Sequence, residues 1–320
     1  MATTVATYRR LLRETAGGLA PHGERVAAAL QPQWPGLIEE VEGIAAGAGQ
    51  DPLELLAINA RTELLAPDAA AGECSVIGRV ADQRVELAQT WDWHPDLSPA
   101  RVIVTAAPPG APWFTTVTEA GILAKLGLNQ RGVACGLNFL NCSADGGLDG
   151  IPVHILLRVL LQECGSALDA LTLLLGAHAS ASSCVTVAVS EAAGAALFAV
   201  ELSPGGAAVV WPGADGLLVH THHFLSPPPR GEDIEPMTHP STLLRRWHLD
   251  RVVRAGMEPT RALSEHFPAG ESVCRHEDRD VAWADRRETL LAIAIDPGAP
   301  ALRLAAGPPC SSPYQAVTLP

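Results

Sequence analysis

Residues 72–95 read GECSVIGRVADQRVELAQTWDWHP, and within them the chain changes character. Before this stretch, LIEEVEGIAAGAG and DPLELLAINARTELL carry apolar residues at three- and four-residue intervals, the spacing of one helix face. From Cys74 onward come CSVIGRV and VELAQTW, short apolar and β-branched runs that predict strands. PDAAAGE lies between the two patterns, its proline, small residues and glycine marking a flexible connection. Cys74 opens the first strand, and Asp92 follows 18 positions later between two tryptophans. A cysteine that becomes a chain N-terminus gains an α-amino group, whose reference pKa of about 7.7–8.0 suits it to act as base for its own thiol. The competing reading of Cys74 is a buried structural thiol, a common fate of unpaired cysteine.

The strand pattern continues through RVIVTA, WFTTVTEA, GVACGLN, CVTVAVS, AALFAVEL, AAVVW and GLLVHT, which predict an extensive antiparallel sheet system. Two helices interrupt it, PVHILLRVLLQECG and SALDALTLLLGAH, the second opened by Ser166 with Asp169 in capping-box spacing. STLLRRWHLDRVVRAG and TRALSEHF read as later helices. In the leader, Asp51 can cap, Pro52 suits the first helical position, and Glu54 completes a capping-box-like start. Helices on both sides of strand clusters imply a layered α+β fold. SPPPRGEDIEP reads as a connecting loop, or as a rim over a pocket.

The chain has 320 residues, and its 48% hydrophobic content is ample for a packed core. A net charge of -13 argues against nucleic acid or an anionic membrane surface as partner, because either calls for a cationic footprint. No apolar run reaches transmembrane length, and MATTVATYRRLLRETAGG lacks the apolar core of a secretory signal. Seven cysteines without a C-x-x-C pair fit neither a disulfide framework nor a zinc ribbon, so a reducing cytoplasm is the expectation.

GECS and TWDWHP stand in order with further stretches. These are GIAAGAG and INARTELL before them, and TEAG, LGLNQRGVACGLN, GIPVHILLRVLLQ, HTHHF, CRH and GPPCSSPYQAVTL after them. In this arrangement, over roughly residues 40 to 320, the chain resembles the acyl-coenzyme A:isopenicillin N acyltransferase family of N-terminal nucleophile hydrolases. The resemblance implies a four-layer αββα sandwich with antiparallel sheets. It also implies autoproteolysis between Glu73 and Cys74, leaving a helical leader of residues 1–73 and a catalytic domain of residues 74–320 that stay associated as a heterodimer. Further assembly is left open.

Within that resemblance Cys74 is the nucleophile, and Asp92 takes the place of the aspartate that orients the new ammonium group. Trp91 and Trp93 flank it as possible pocket walls, while Thr90 replaces the usual asparagine. His222 in HTHHF stands where the family has an asparagine that donates to the oxyanion, a role an imidazole N–H can fill with a titration of its own. Arg275 in CRH matches the late arginine that positions nucleophile and scissile carbonyl, against the plainer reading of a surface arginine. Asn138 could supply an oxyanion donor instead, or simply shape a turn. Cys310 reads as a packed thiol.

The expected activity is acyl transfer from a small amide or thioester through a Cys74 acyl-enzyme, to water or to an amine. Hydrolysis is the simpler outcome, because transfer demands a second pocket that excludes water. Alternatives are an acyl-coenzyme A-dependent N-acyltransferase and an uncleaved binding protein on the same fold. A metal-dependent hydrolase built on His220, His222 and His223 is a further alternative, although no third-ligand pattern follows them. No metal and no cofactor are expected.

Overall fold

The leader packs around one helix. The computed structural model describes residues 1–12, 18–65, 74–267 and 272–320. Helices α1 (Ala2–Leu11), α2 (Ala20–Leu30) and α3 (Pro35–Ala48) surround α4 (Pro52–Asn59), and α5 (Arg61–Leu65) follows it. Leu55, Leu56, Ala57 and Ile58 of α4 are all buried, and its two buried polar residues are bonded, Glu54 to Arg9 and Asn59 to Gly121 O and Leu123 N–H, as a helix enclosed by others requires. Asp51 caps it by accepting from Leu53 N–H at 2.9 Å, as the sequence predicts, with Pro52 in the first turn. The crossing of α2 and α4 depends on Gly23, where any Cβ would collide with the carbonyl of Leu53.

The remainder follows in the order β1 (Ser75–Ala81), β2 (Arg84–Trp93), β3 (Arg101–Ala106), β4 (Phe114–Glu119), β5 (Leu126–Asn129), β6 (Val133–Phe139), α6 (Val153–Glu163), α7 (Ala167–Leu175), β7 (Ser183–Glu191), β8 (Gly194–Ser203), β9 (Gly206–Val210), β10 (Leu217–His220), α8 (Glu235–Thr238), α9 (Ser241–Arg254), α10 (Pro259–Ala262), β11 (Glu288–Asp296), β12 (Ala301–Ala305) and β13 (Gln315–Ala316). A six-stranded sheet runs β10-β1-β2-β11-β12-β13, and a seven-stranded sheet runs β3 to β9 in sequence order. Strand pairs in both are antiparallel.

The sheets stack face to face, with α6 and α7 on the outside of the larger and α9 and α10 on the outside of the smaller. Strand alternation explains the two apolar cores. Val76 and Leu87 face the other sheet, whereas their neighbours Ile77 and Ala88 join Leu249, Val253 and Leu263 beneath the helices. The α+β reading and the αββα layering are thus both present. No described helix is long and apolar enough to cross a membrane.

The short strands β5, β12 and β13 are not among the stretches read as strands above, and two larger departures stand beside them. TRALSEHF is helical only as far as Ala262. Beyond it the backbone bonds sideways, Cys274 N–H donating to Glu265 O at 3.1 Å and Phe267 N–H to Ser272 Oγ at 2.7 Å, so the helical ladder is not continued. The second is β11, ETLLAIAID, which the strand reading above omits although it lies between β2 and β12. It is buried on both faces and reads as a continuous apolar run, without the alternation that marks a half-buried strand.

Candidate active site

Cys74 immediately precedes β1, and β2 returns alongside it to place Asp92 near its far end. Opposite Asp92 on β11 lies Thr289, next to a register shift between Thr289 and Leu291. Thr289 Oγ donates to Asp92 Oδ1 at 2.6 Å and accepts from Arg275 N–H at 2.8 Å. Thr90, on the same strand as Asp92, accepts from Ser75 N–H at 3.1 Å and turns its hydroxyl toward Asp92 Oδ2 at 3.4 Å. The threonine at the family's asparagine position therefore links the residue after the cysteine to the carboxylate. Asp92 itself is buried, 1% exposed.

Burial first, and then the negative charge of Asp92, push the Cys74 thiol up to about 11; the Asp92 backbone N–H and the Gln89 side chain pull the other way. In the uncut chain this thiol is protonated at neutral pH. Gln89 is fixed from both ends: its Nε2 donates to Leu137 O at 2.5 Å and its Oε1 accepts from Leu137 N–H at 3.0 Å, tying β2 to β6 across the two sheets. Gly136 permits this, since a Cβ there would stand 2.5 Å from Gln89 Oε1.

The backbone of Cys74 is held on both sides by residues singled out in the sequence. Its N–H donates to His222 Nε2 at 2.6 Å, and its carbonyl accepts from Asn138 Nδ2 at 3.0 Å. His222 is fully buried. Burial, followed by the charges of Arg245 and Arg275, holds its pKa well below 6.5, so the imidazole is neutral around neutrality. Its Nδ1 lies 3.9 Å from Glu235 Oε1, which lies 3.1 Å from His239 Nδ1. Glu235 comes from the GEDIEP segment, so that loop contributes a buried carboxylate and is more than a connection.

The three histidines of HTHHF do not converge. His220 Nε2 is 2.9 Å from Glu201 Oε1, and His223 Nδ1 is 3.0 Å from Thr242 Oγ1, while His222 alone reaches Cys74. β10 ends at His220, so the period-2 alignment of His220 and His222 is not kept, the three side chains take separate partners, and the metal reading of this motif falls away.

The pocket at Cys74 is lined by Asp92, Trp91 and Trp93, together with two cations that the sequence reading missed, Arg61 and Lys125. Lys125 Nζ sits 3.6 Å from the Trp91 ring centroid and donates to Glu119 Oε1 at 2.7 Å. Burial and the neighbouring Arg61 lower Lys125 to about 7. Glu119 Oε2 accepts from the leader's Tyr8 hydroxyl at 2.5 Å and lies 3.8 Å from Arg61 Nε, and Trp93 Nε1 donates to Tyr8 Oη at 3.0 Å. Burial alone would raise Glu119, but Lys125 and Arg61 outweigh it and its pKa is lowered. Arg61 lies in INARTELL and Lys125 shortly after TEAG, whose glutamate is their shared partner Glu119, so all three stand in or beside stretches already quoted; what was missed is that packing brings them together.

Cys74, Asp92, Trp91, Trp93, Asn138 and His222 are therefore brought together. Arg275 joins them through its backbone and the Thr289 hydroxyl, and through its charge on His222. Glu73, the other side of the expected scissile bond, lies outside the described residues.

The fold has relatives of known structure. An N-acylethanolamine-hydrolyzing acid amidase ortholog of Caenorhabditis elegans superimposes with a TM-score of 0.50 over 77% of this chain and 100% of its own, at 14% identity. A variant of conjugated bile acid hydrolase from Clostridium perfringens gives 0.49 at 9% identity, covering 77% of this chain and 97% of that one. The αββα sandwich is that of the N-terminal nucleophile hydrolases. In sequence, acyl-coenzyme A:6-aminopenicillanic-acid-acyltransferase 40 kDa form of Emericella nidulans is 26% identical over 283 residues, spanning 85% of this chain and 73% of that protein. Residues 80–309 match the acyl-coenzyme A:6-aminopenicillanic acid acyl-transferase family, and the chain belongs to it. It is an enzyme of the acyltransferase class.

Proposed function

We propose that the chain cuts itself between Glu73 and Cys74 and that the new N-terminal cysteine then carries acyl groups. The observation behind this is the double hold on Cys74, N–H on His222 and carbonyl on Asn138, beside the buried Asp92. In processing, the thiol sulfur bonds to the Glu73 carbonyl carbon, the C–N bond to Cys74 breaks, and the nitrogen leaves as an amine after taking a proton. Water then splits the thioester, releasing the Glu73 carboxylate and restoring the thiol.

In the cut enzyme the Cys74 amine takes the thiol proton while sulfur attacks the substrate carbonyl. His222 accepts one amine N–H, which leaves the nitrogen lone pair free to face the sulfur, and Asp92 anchors the ammonium form through its charge. With Nε2 occupied as an acceptor, His222 is an orienting partner of the amine, and the oxyanion donor role passes to the Asn138 amide. Arg275 fixes Thr289 through its backbone N–H, and its charge helps to keep His222 neutral.

The leader remains bound after cutting. Its Tyr8 and Arg61 reach Glu119, Asn59 bonds Gly121 O and Leu123 N–H at 2.8 Å each, and Glu63 accepts from Val153 N–H at 2.8 Å, at the N-terminus of α6. The active form is thus a heterodimer of residues 1–73 and 74–320. Its substrate is a small amide or thioester, and its seven unpaired cysteines suit a reducing cytoplasm. Water is the simplest acceptor; the Emericella nidulans relative, an acyl-coenzyme A:6-aminopenicillanic-acid-acyltransferase by name, favours an amine as the second. Incubating the enzyme with a panel of amides and thioesters, with and without added amines, and reading the acyl adduct on Cys74 by mass identifies acyl group and acceptor together. An active enzyme whose adduct lies on any other residue overturns the assignment.

A further inference from the structure

Away from the Cys74 pocket, two imidazoles and two thiols from three separate stretches converge. His266 follows α10, Cys274 and His276 flank Arg275, and Cys310 sits in a turn after β12. Their nitrogen and sulfur atoms all lie within 4.8 Å of one another. His266 Nε2 is 3.1 Å from His276 Nε2, and Cys310 Sγ is 3.3 Å from that same nitrogen. Backbone bonds build the arrangement. Cys274 N–H on Glu265 O lays residue 266 beside residue 274, and Ser311 and Ser312 N–H both return to Pro308 O, forming the turn that presents Cys310.

Two neutral imidazole nitrogens facing each other can share at most one proton, which leaves the other lone pairs of the group without a purpose. A tetrahedral zinc ion uses all four. With Zn–N near 2.0–2.1 Å and Zn–S near 2.3 Å, tetrahedral angles set ligand atoms roughly 3.3–3.8 Å apart, a few tenths of an ångström beyond the two short distances seen here. The donor set is that of closed structural sites, two cysteines and two histidines, soft enough to prefer zinc over magnesium or calcium.

We propose that His266, Cys274, His276 and Cys310 form a structural zinc site. On binding, both thiols release their protons to solvent, and the two thiolates balance the charge of the ion. The ligands are separated by 7, 1 and 33 residues, so no short motif announces them. The site would clamp the backbone on either side of Arg275, whose N–H donates to Thr289 and thereby reaches Asp92. It would also staple the segment carrying Cys310 to the six-stranded sheet.

The test uses the full chain purified under reducing conditions without chelator, with metal content read by elemental mass spectrometry. About one zinc per chain is expected, and replacement by cobalt should give the visible bands of tetrahedral thiolate ligation. Cys310→Ser and His266→Ala, at exposed positions, should keep the wild-type circular dichroism yet weaken zinc binding by more than about 100-fold, since even outer partners of a ligand cost 10–100-fold. In these variants the amide-cleaving rate should fall while Cys74 remains able to be acylated. Three results overturn the proposal: reduced wild-type protein that takes up no stoichiometric zinc or cobalt, a Cys310→Ser/His266→Ala double variant that retains zinc at wild-type affinity, or a Cys274 to Cys310 disulfide in protein prepared under reducing conditions.

Discussion

Two buried polar clusters reach Cys74, and they are satisfied to different degrees. In the first, Glu119 receives Lys125 on one oxygen and Tyr8 on the other, with Arg61 beside it and Trp93 donating to Tyr8. In the second, Glu235 and His222 are fully buried, but neither Glu235 oxygen nor His222 Nδ1 makes a hydrogen bond among the described residues. Both Glu119 oxygens and the Tyr8 hydroxyl are hydrogen-bonded, with only Arg61 Nε left at ion-pair distance, and this network joins leader residues Tyr8 and Arg61 to a catalytic-domain carboxylate. An under-satisfied group buried at 0% exposure costs stability and is kept where protons or charges must be rearranged. In the proposed mechanism the first cluster clamps the leader and the second attends the amine that cutting would create.

Variants can break this comparison, beginning with the residue both clusters surround. Cys74→Ala removes the bond-forming atom, so both cutting and turnover should vanish in a protein with unchanged circular dichroism. Asp92→Asn should leave a folded chain and lower turnover by about 10²–10⁴-fold, the span of acid–base contributions. It should also let the Cys74 thiol of uncut protein titrate lower, because the second cause of its raised pKa is gone; alkylation rate against pH reads this directly.

His222→Ala is expected to cost about 10²-fold in kcat, and His222→Asn should recover part of that, since an amide oxygen can accept the same amine N–H. The sign of the pH dependence follows from the lowered His222 pKa. Neutral imidazole is the working form, so His222 should add an acid limb of its own well below 6.5, beneath the limb set by protonation of the Cys74 amine near its reference pKa of about 7.7–8.0, and the asparagine variant should lack only the lower limb. If His222→Ala keeps wild-type kcat and pH profile, the second cluster is structural. The smallest effect is expected in the clamp. Tyr8→Phe deprives Glu119 and Trp93 of a partner and should cost about 1–3 kcal/mol, seen as easier separation of the fragments in denaturant with kcat of the intact heterodimer retained.

Much of this was legible in the sequence wherever chemistry and local pattern coincide. The helical leader, the strands from β1 to β10 apart from the short β5, and the Cys74/Asp92 pair stand out through short motifs and through periods of 3.6 and 2. Long-range pairing was not legible. β11 hides its role in a continuous apolar run, and with it goes Thr289, the hydroxyl between Arg275 and Asp92. Glu119, Lys125 and Glu235 gain their place in the site only through tertiary packing that buries them, which no local pattern announces. His222 meets the same limit: its residue type allows donor or acceptor, and only the 2.6 Å contact from Cys74 N–H chooses the acceptor.

The central claim is that bond cleavage makes the active site, and the most direct measurement is the intact mass and N-terminal sequence of freshly purified wild-type chain beside Cys74→Ala. The account predicts two associated fragments of residues 1–73 and 74–320 for the wild type, the larger beginning at Cys74, and a single uncut, inactive chain for Cys74→Ala. A wild-type chain that stays whole while turning over amides, or a Cys74→Ala chain cut at the same bond, would contradict it.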